Sequence, residues 1–441
     1  MVVVAFILFI SVGTALLWLP WASDGGANIG FENALFMSTS AATVTGLATV
    51  PMSDFSLFGE LVILALIQIG GFGIMTIGSL VALIASNRLG LRQRMLAQTE
   101  IGAVNIGELR TLIAAIARIT LGVEGALALI LFVRFWQGGY EEGPVSAAYS
   151  AIFHSVASFN NAGISLYSDS LTRFATDPVV VLSISGAFII GGLGFPVLVE
   201  LWRRERHRRE TGSTARIPWS IHLKITLWAT AGLLVIGPLV VLIFEWSNPA
   251  TLGPLDLGDK VLSGWFQGVT PRTAGFSTLN VGGMNEPTLL VISILMFIGA
   301  GPASTSGGIK VTTFAILGLV LWSEVRGNTD INVFKRRLPE RLVRQALAIV
   351  MISFSFVVAT TLTLMALDDL QLTPAMFEAA SAFGTVGLST GVTGTLGGFG
   401  HAILIVVMLA GRVGPITFVT AWALRDRARV YRYPEERPII G

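Results

Sequence analysis

The sequence predicts an all-α polytopic membrane protein assembled from four tandem repeats, and three observations predict it. Its 441 residues are 53% hydrophobic and only 13% charged, with a mean hydropathy of +0.73, whereas a soluble domain carries roughly a quarter charged residues. Leu61–Ala85, Val179–Val199, Ile225–Phe244 and Ala346–Leu367 run without a charge, each long enough to cross the ~30 Å hydrocarbon layer as a helix. Of the 29 Lys and Arg, 22 fall in Arg88–Arg110, Arg203–Lys224, Arg326–Arg344 and Arg425–Arg437, which the positive-inside rule assigns to the cytoplasm.

Taken in order, the elements repeat. Val2–Pro20 has no basic flank and no small-residue cleavage site, so it reads as a first membrane helix running outward rather than a signal peptide. Between basic segments the chain passes through an apolar helix, a polar or acidic loop, a short amphipathic segment, a glycine-containing polar segment and a second apolar helix. The units span 1–87, 111–202, 225–325 and 345–424, joined by links 88–110, 203–224 and 326–344 and followed by a tail, 425–441. The short segments Phe31–Ala42, Val145–Ser158, Leu257–Gln267 and Pro374–Ala382 are expected as helices that enter from outside and stop partway.

Each short segment leads into a related motif: TVTGLAT (Thr43–Thr49), FNNAGIS (Phe159–Ser165), TPRTAGFST (Thr270–Thr278) and GTVGLST (Gly384–Thr390). The successive steps from Gly46 to Gly163, Gly275 and Gly387 are 117, 112 and 112 residues, a period that marks homologous units. About 25 residues further on, a second glycine cluster recurs: GGFG at Gly70–Gly73, GGLGFP at Gly191–Pro196, GAGPASTSGG at Gly299–Gly308 and GRVGP at Gly411–Pro415. All four are expected to interrupt the second apolar helix of their unit.

Non-helical backbone at membrane depth is tolerated only where it is buried in protein or lines a cavity. Four such segments therefore predict helix–pore loop–helix units with pseudo-fourfold symmetry around one central pore. Glycine permits dihedral angles that let successive carbonyls turn inward, and a ring of carbonyls can replace an ion's hydration shell. The short helices would aim their partially negative C-terminal ends at the same point, which favours a cation there. Close helix packing is the competing reading of any single glycine. It does not account for a Thr- or Asn-rich segment before each one, or for fourfold recurrence.

With these motifs in place, the chain resembles the Ktr/Trk/HKT superfamily of potassium transporters over nearly its whole length, and within it the bacterial KtrB-type membrane subunit, with the TrkH type second. The resemblance implies a potassium filter lined by Val44, Thr45 and Gly46, by Asn161, Ala162 and Gly163, by Thr273, Ala274 and Gly275, and by Thr385, Val386 and Gly387. In the plant branch a serine at the first glycine accompanies sodium preference; here all four positions are glycine. It also implies an intramembrane gate loop below the filter, assigned to Gly299, Gly301, Ser304, Thr305, Ser306, Gly307 and Gly308, with Lys310 directly after it. Arg412, inside the last apolar helix, is implied to stand in the cavity beneath the filter. A packing role, paired with a carboxylate, is its alternative.

Further implications are potassium as the substrate, sodium as a candidate coupling ion, a homodimer in membrane lipid, and a cytoplasmic RCK-type regulatory ring (KtrA or TrkA type). The basic links are a plausible docking surface for such a ring, and lipid headgroups would explain them equally well. The chain has no P-loop and no GxGxxG after a strand, so no nucleotide is expected to bind it, and no nucleic-acid role is expected. A sodium or weakly selective conductor of the same fold is the runner-up. An intramembrane enzyme would need a nucleophile with a base or a motif such as HExxH; His154 beside Ser155 is the one local pair. An amino-acid transporter with broken helices would show twofold inverted repeats. Two other charges are singled out: Glu124, buried at membrane depth with Arg118 as its expected partner, and Arg272, three residues before Gly275 and expected to stabilise the filter from its outer side.

Overall fold

The computed structural model describes residues 2–24, 29–86, 106–211, 219–327 and 330–414; most of the 88–110 link and the 425–441 tail lie outside the described residues. The first unit comprises α1 (Val2–Leu17), α2 (Phe31–Ala42) and α3 (Leu57–Ser86). In the second, α4 (Ile106–Gln137) and α5 (Pro144–Phe159) precede α6 (Pro178–Leu193) and α7 (Phe195–Thr211). The third contains α8 (Ile221–Glu245), α9 (Leu257–Val269), α10 (Glu286–Ile298) and α11 (Val311–Val325). The fourth is α12 (Glu340–Leu367), α13 (Leu372–Gly384) and α14 (Gly398–Val413).

Caps set several boundaries. Asp177 accepts from the Val179 and Val180 amides ahead of Pro178, the polar N-cap and first-turn proline that open helices. The same carboxylate binds Arg134 Nε at 2.6 Å and the Tyr140 hydroxyl at 3.0 Å, tying the end of α4 to the start of α6. Glu245, fully buried at the end of α8, accepts from Asn248 Nδ2 at 2.6 Å, Thr251 Oγ1 at 2.7 Å and the Asn285 amide at 2.9 Å. It thereby serves the opening of α10 with a side chain from another helix.

The short helices α2, α5, α9 and α13 are rich in small residues, and neighbours approach them closely. A Cβ on Gly70, Gly191 or Gly411 would overlap the carbonyl oxygen of Ala42, Phe159 or Phe383, near the end of its own unit's short helix. Small residues give such contacts their packing energy where lipid supplies no hydrophobic drive. This corrects the expectation that every second glycine cluster breaks its helix. GGFG lies within continuous α3, and Gly191 and Gly411 lie within α6 and α14. The break in the second unit comes at Gly194 (φ 93°), where α6 and α7 meet at 97°. In the third unit the helix is lost over 299–310, and α14 stops at Val413.

The units close on one another in a cycle. α3 packs against α5, α6 against α9, α10 against α13, and α14 returns to α2. Each second apolar helix thus touches the short helix of the next unit. α4, α8 and α12 are long and apolar enough to span a membrane, and α1, the first part of α3, α10, α11 and α14 are shorter apolar helices. Leu8, Leu129, Val235 and Leu362 are exposed on α1, α4, α8 and α12, facing outward where lipid would sit. Trp18, Trp21, Trp136 and Trp246 are exposed near one end of the helices and Trp202, Trp219 and Trp322 near the other, the aromatic belts of the two membrane–water boundaries.

The basic stretch 326–344 is more than a connector. β1 (Asn332–Val333) and β2 (Arg336–Arg337) pair as an antiparallel hairpin, turning through Phe334 (φ 48°) and Lys335 (φ 66°), the positive-φ pair of a primed turn. Val333 and Leu338 bury themselves with Ile225 of α8.

Candidate functional site

Each short helix ends in a backbone reversal that sets the geometry of the glycine after it. In the first unit the Val44 amide bonds the Ala41 carbonyl at 3.1 Å and the Thr45 amide bonds the Ser40 carbonyl at 2.7 Å. The second unit repeats this with Asn161 to Ser158 and Ala162 to Ala157, and the fourth with Thr385 to Ala382 and Val386 to Ser381. This is the paired bonding of a Schellman end, which requires a left-handed residue after the helix. Val44 (φ 55°), Asn161 (φ 61°) and Thr385 (φ 48°) occupy that position. In the third unit the helix ends earlier, and Thr273 (φ 74°) takes the left-handed place after an Ala274 amide to Thr270 carbonyl bond of 2.9 Å.

Two residues later the central glycines also have positive φ: Gly46 96°, Gly163 63°, Gly275 77° and Gly387 93°. Alternating left- and right-handed residues turn every second peptide over, so successive carbonyls point to one side instead of alternating as in a strand.

The four reversals meet. A Cβ on Gly46 would overlap the carbonyl oxygen of Ala162, one on Gly275 that of Val386, and one on Gly387 that of Thr45. One on Gly163 would lie 3.0 Å from the Ala274 oxygen and 2.8 Å from the Gly275 Cα. Each glycine therefore sits beside the oxygen of an adjacent quarter, and the four relations form a closed ring. Above it opens a funnel of about 320 Å³ lined by all four glycines together with Ala48, Ser165, Ser277 and Ser389.

Immediately against the ring lies the segment between α10 and α11. Thr273 Oγ1 and Ser306 Oγ are 2.5 Å apart, and a Cβ on Gly307 would collide with the Thr385 side chain. Thr305 reaches Asn161, whose amide is best satisfied with its nitrogen toward the Thr305 hydroxyl and the Phe159 and Phe188 carbonyls and its oxygen toward Thr273. The Gly308 amide bonds the Gly411 carbonyl at 3.2 Å, the Gly301 amide bonds the Gly192 carbonyl at 2.8 Å, and the Phe195 amide bonds the Ala303 carbonyl at 3.1 Å. The loop is thus tied to three units while touching the ring.

Two cations hold it. Arg412, 4% exposed, donates from Nη1 to the Thr305 carbonyl and from Nη2 to the Gly70 carbonyl at 3.0 Å. Among the described residues no carboxylate pairs with it, as its alternative reading had offered: its acceptors are backbone oxygens. Lys310 Nζ donates to the Ser306 carbonyl at 2.6 Å, so it caps the loop. Charged donors make the stronger class of hydrogen bond.

Other expectations are corrected. Glu124 does not pair with Arg118, which lies on an exposed face. It accepts from Gln68 Nε2 at 3.2 Å and Asn160 Nδ2 at 3.1 Å, so it supports the residue that caps α5. Arg272 is buried and reaches Thr230 of α8, its nitrogens 3.4–3.5 Å from the Thr230 oxygens, behind the third reversal. His154 bonds the Ser150 carbonyl and Ser165, while Ser155 donates to the Glu124 carbonyl at 2.6 Å; the adjacent pair is not coupled. Sequence reasoning missed the left-handed position before each glycine and the polar side chains behind the reversals. A recurring Phe one residue before those polar side chains was the available signal.

Four quasi-equivalent membrane units converging on a ring of backbone oxygens, with a cation-tethered loop across it, define a cation-transport membrane protein. The chain belongs to the TrkH family of cation transport proteins, whose family model matches residues 1–431. It is therefore grouped with ion transporters rather than enzymes. It is 39% identical over 440 residues to the Ktr system potassium uptake protein B of Bacillus subtilis, covering 99% of this chain and 95% of that protein. The same-named protein of Vibrio alginolyticus is 37% identical, with 100% and 94% covered. The potassium/sodium uptake protein NtpJ of Enterococcus hirae is 33% identical, with 100% and 96% covered. The crystal structure of the potassium transporter TrkH from Vibrio parahaemolyticus superposes with a TM-score of 0.72 at 22% identity, covering 95% of this chain and 83% of that one, which establishes the shared fold.

Proposed function

We propose that this chain takes up potassium across the cell membrane through a selectivity filter made of the four reversals, gated by the loop at 299–308. The filter residues are Val44–Gly46, Asn161–Gly163, Thr273–Gly275 and Thr385–Gly387. The observation that carries this is the closed cycle in which Thr45, Ala162, Ala274 and Val386 each present an oxygen beside the glycine of an adjacent quarter. Such oxygens stand in for the water around a dehydrated monovalent cation. The B. subtilis and V. alginolyticus relatives, both potassium uptake proteins, support potassium as the ion.

In this reading the chain divides at its basic links into four units, with those links on the cytoplasmic side. Arg412 and Lys310 keep the loop closed through its carbonyls, and Arg412 adds a positive barrier below the filter. A homodimer resting on a cytoplasmic RCK-type ring supplies the nucleotide-dependent control for which this chain has no motif, and sodium is the candidate coupling ion. A second reading, transport of sodium as well as potassium, is favoured by the relative named for both ions and by four quarters whose residues differ.

The test is potassium against sodium uptake into liposomes by the full chain and by Gly46→Ser. At φ 96° with a neighbouring oxygen in the way, serine must displace the Ala162 carbonyl. The intact chain should prefer potassium, and the variant should lose about tenfold of that preference, ~1.4 kcal/mol of discrimination. Equal uptake of both ions by the intact chain would favour the second reading.

A further inference from the structure

The short helices share a pattern that the filter reading leaves unused. Each contains a fully buried phenylalanine facing the core: Phe36, Phe153, Phe266 and Phe377. The residue after it differs in every unit: Met37, His154, Gln267 and Glu378, each with no exposed surface. Two residues beyond each central glycine, at the rim of the funnel, stand Ala48, Ser165, Ser277 and Ser389.

In three units these two positions are bonded to each other. His154 Nε2 lies 3.0 Å from Ser165 Oγ, its ring anchored by Nδ1 on the Ser150 carbonyl at 2.8 Å. Gln267 Oε1 accepts from Ser277 Oγ at 3.2 Å and from the Thr278 amide at 3.4 Å. Glu378 accepts from Ser389 Oγ at 2.5 Å, the Thr390 amide at 3.1 Å and Thr393 Oγ1 at 2.8 Å. The first unit has a thioether and a methyl group at these places, Met37 and Ala48, and no such bond is possible.

We infer that His154, Gln267 and Glu378 are positioning residues of the filter: each straps the strand leaving a filter glycine to the flank of its own short helix, and the first quarter alone lacks the strap. The inference rests on the filter reading above. A strap at this point restrains the peptide on the outer side of the glycine, the part of the quarter with no helix of its own to hold it. The fourth strap, a carboxyl group with three donors, is the most fully bonded of the three. Loss of a strap should widen the range of ion sizes its quarter tolerates and so narrow the difference between potassium and sodium, without removing ion binding altogether.

The experiment measures the thermal unfolding of the purified full-length chain against KCl and NaCl, since an ion bound only by the native state raises the midpoint with the logarithm of its concentration over its Kd. The readout is the ratio of the apparent Kd values, which a purely structural lesion would not move even where it lowered the midpoint. Glu378→Met, which copies the first unit, should reduce the ratio about tenfold, the scale of one buried hydrogen bond. Ser389→Ala, a smaller change at the other end, should reduce it in the same direction. Glu378→Gln, which copies the third unit, should restore most of it. An intact chain stabilised equally by both salts would overturn the potassium-selective reading and this inference with it. An intact chain that prefers potassium, with Glu378→Met and Ser389→Ala keeping its ratio, would overturn the straps alone.

Discussion

A valine held at φ 55° is strained, because a β-branched side chain crowds the backbone in the left-handed region. Val44 keeps this shape because two amide bonds fix the end of α2 around it and because it is fully buried. Neither cause shows in residue type, so the reversal was invisible in the sequence, whereas the glycine two residues later was legible from its recurrence. Arg412 divides the same way. Its presence inside an apolar run marked it for a role, but its partners are carbonyls of Thr305 and Gly70, and backbone acceptors leave no trace in composition. With the hydrogen bond to the Thr305 carbonyl removed, the loop loses a restraint. Arg412→Gln should therefore raise potassium flux through the full chain in liposomes about tenfold, as expected for ~1.4 kcal/mol taken from the closed state. Unchanged flux would mean that this arginine does not restrain the loop.

At the scale of elements, composition located the four short helices because an amphipathic segment ending in Thr, Asn and Gly is rare between apolar runs. It misjudged the first of the glycine clusters downstream. GGFG in α3 looks like the other three clusters, yet its Gly70 and Gly71 accommodate the Ala42 carbonyl and the Asn160 side chain within an unbroken helix. Close approach and helix termination use the same residue type, and what separates them is the partner across the gap. The 299–310 stretch differs because most of its positions are Gly, Pro, Ser or Thr, weak helix formers, and there the chain leaves the helix altogether. Held between the ring and Arg412, this loop is where the proposed gate would act. Deletion of Ala303–Ser306 should raise flux in liposomes without any partner protein, and unchanged or lower flux would remove its assignment as the gate.

For the molecule as a whole, the repeat period implied four equivalent parts but not their order in space. The order comes from packing. Each second apolar helix leans on the short helix of the next unit, and α14 returns to α2, so the reversals are pressed together from all sides. Long-range polar bonds add to this, such as Tyr149 to Glu60 at 2.5 Å between the first two units and His401 to Glu32 at 2.6 Å between the last and the first. A ring closed this way can hold four non-identical quarters at one spacing, as a binding site for a bare ion requires.

That requirement is tested most directly by diffraction from crystals of the full chain soaked in rubidium or thallium, heavier stand-ins for potassium. Anomalous density on the axis between the Thr45, Ala162, Ala274 and Val386 carbonyls is the expected result, reduced or absent in Gly46→Ser. Ordered density only elsewhere, with that axis empty in the intact chain, would contradict a filter of backbone oxygens.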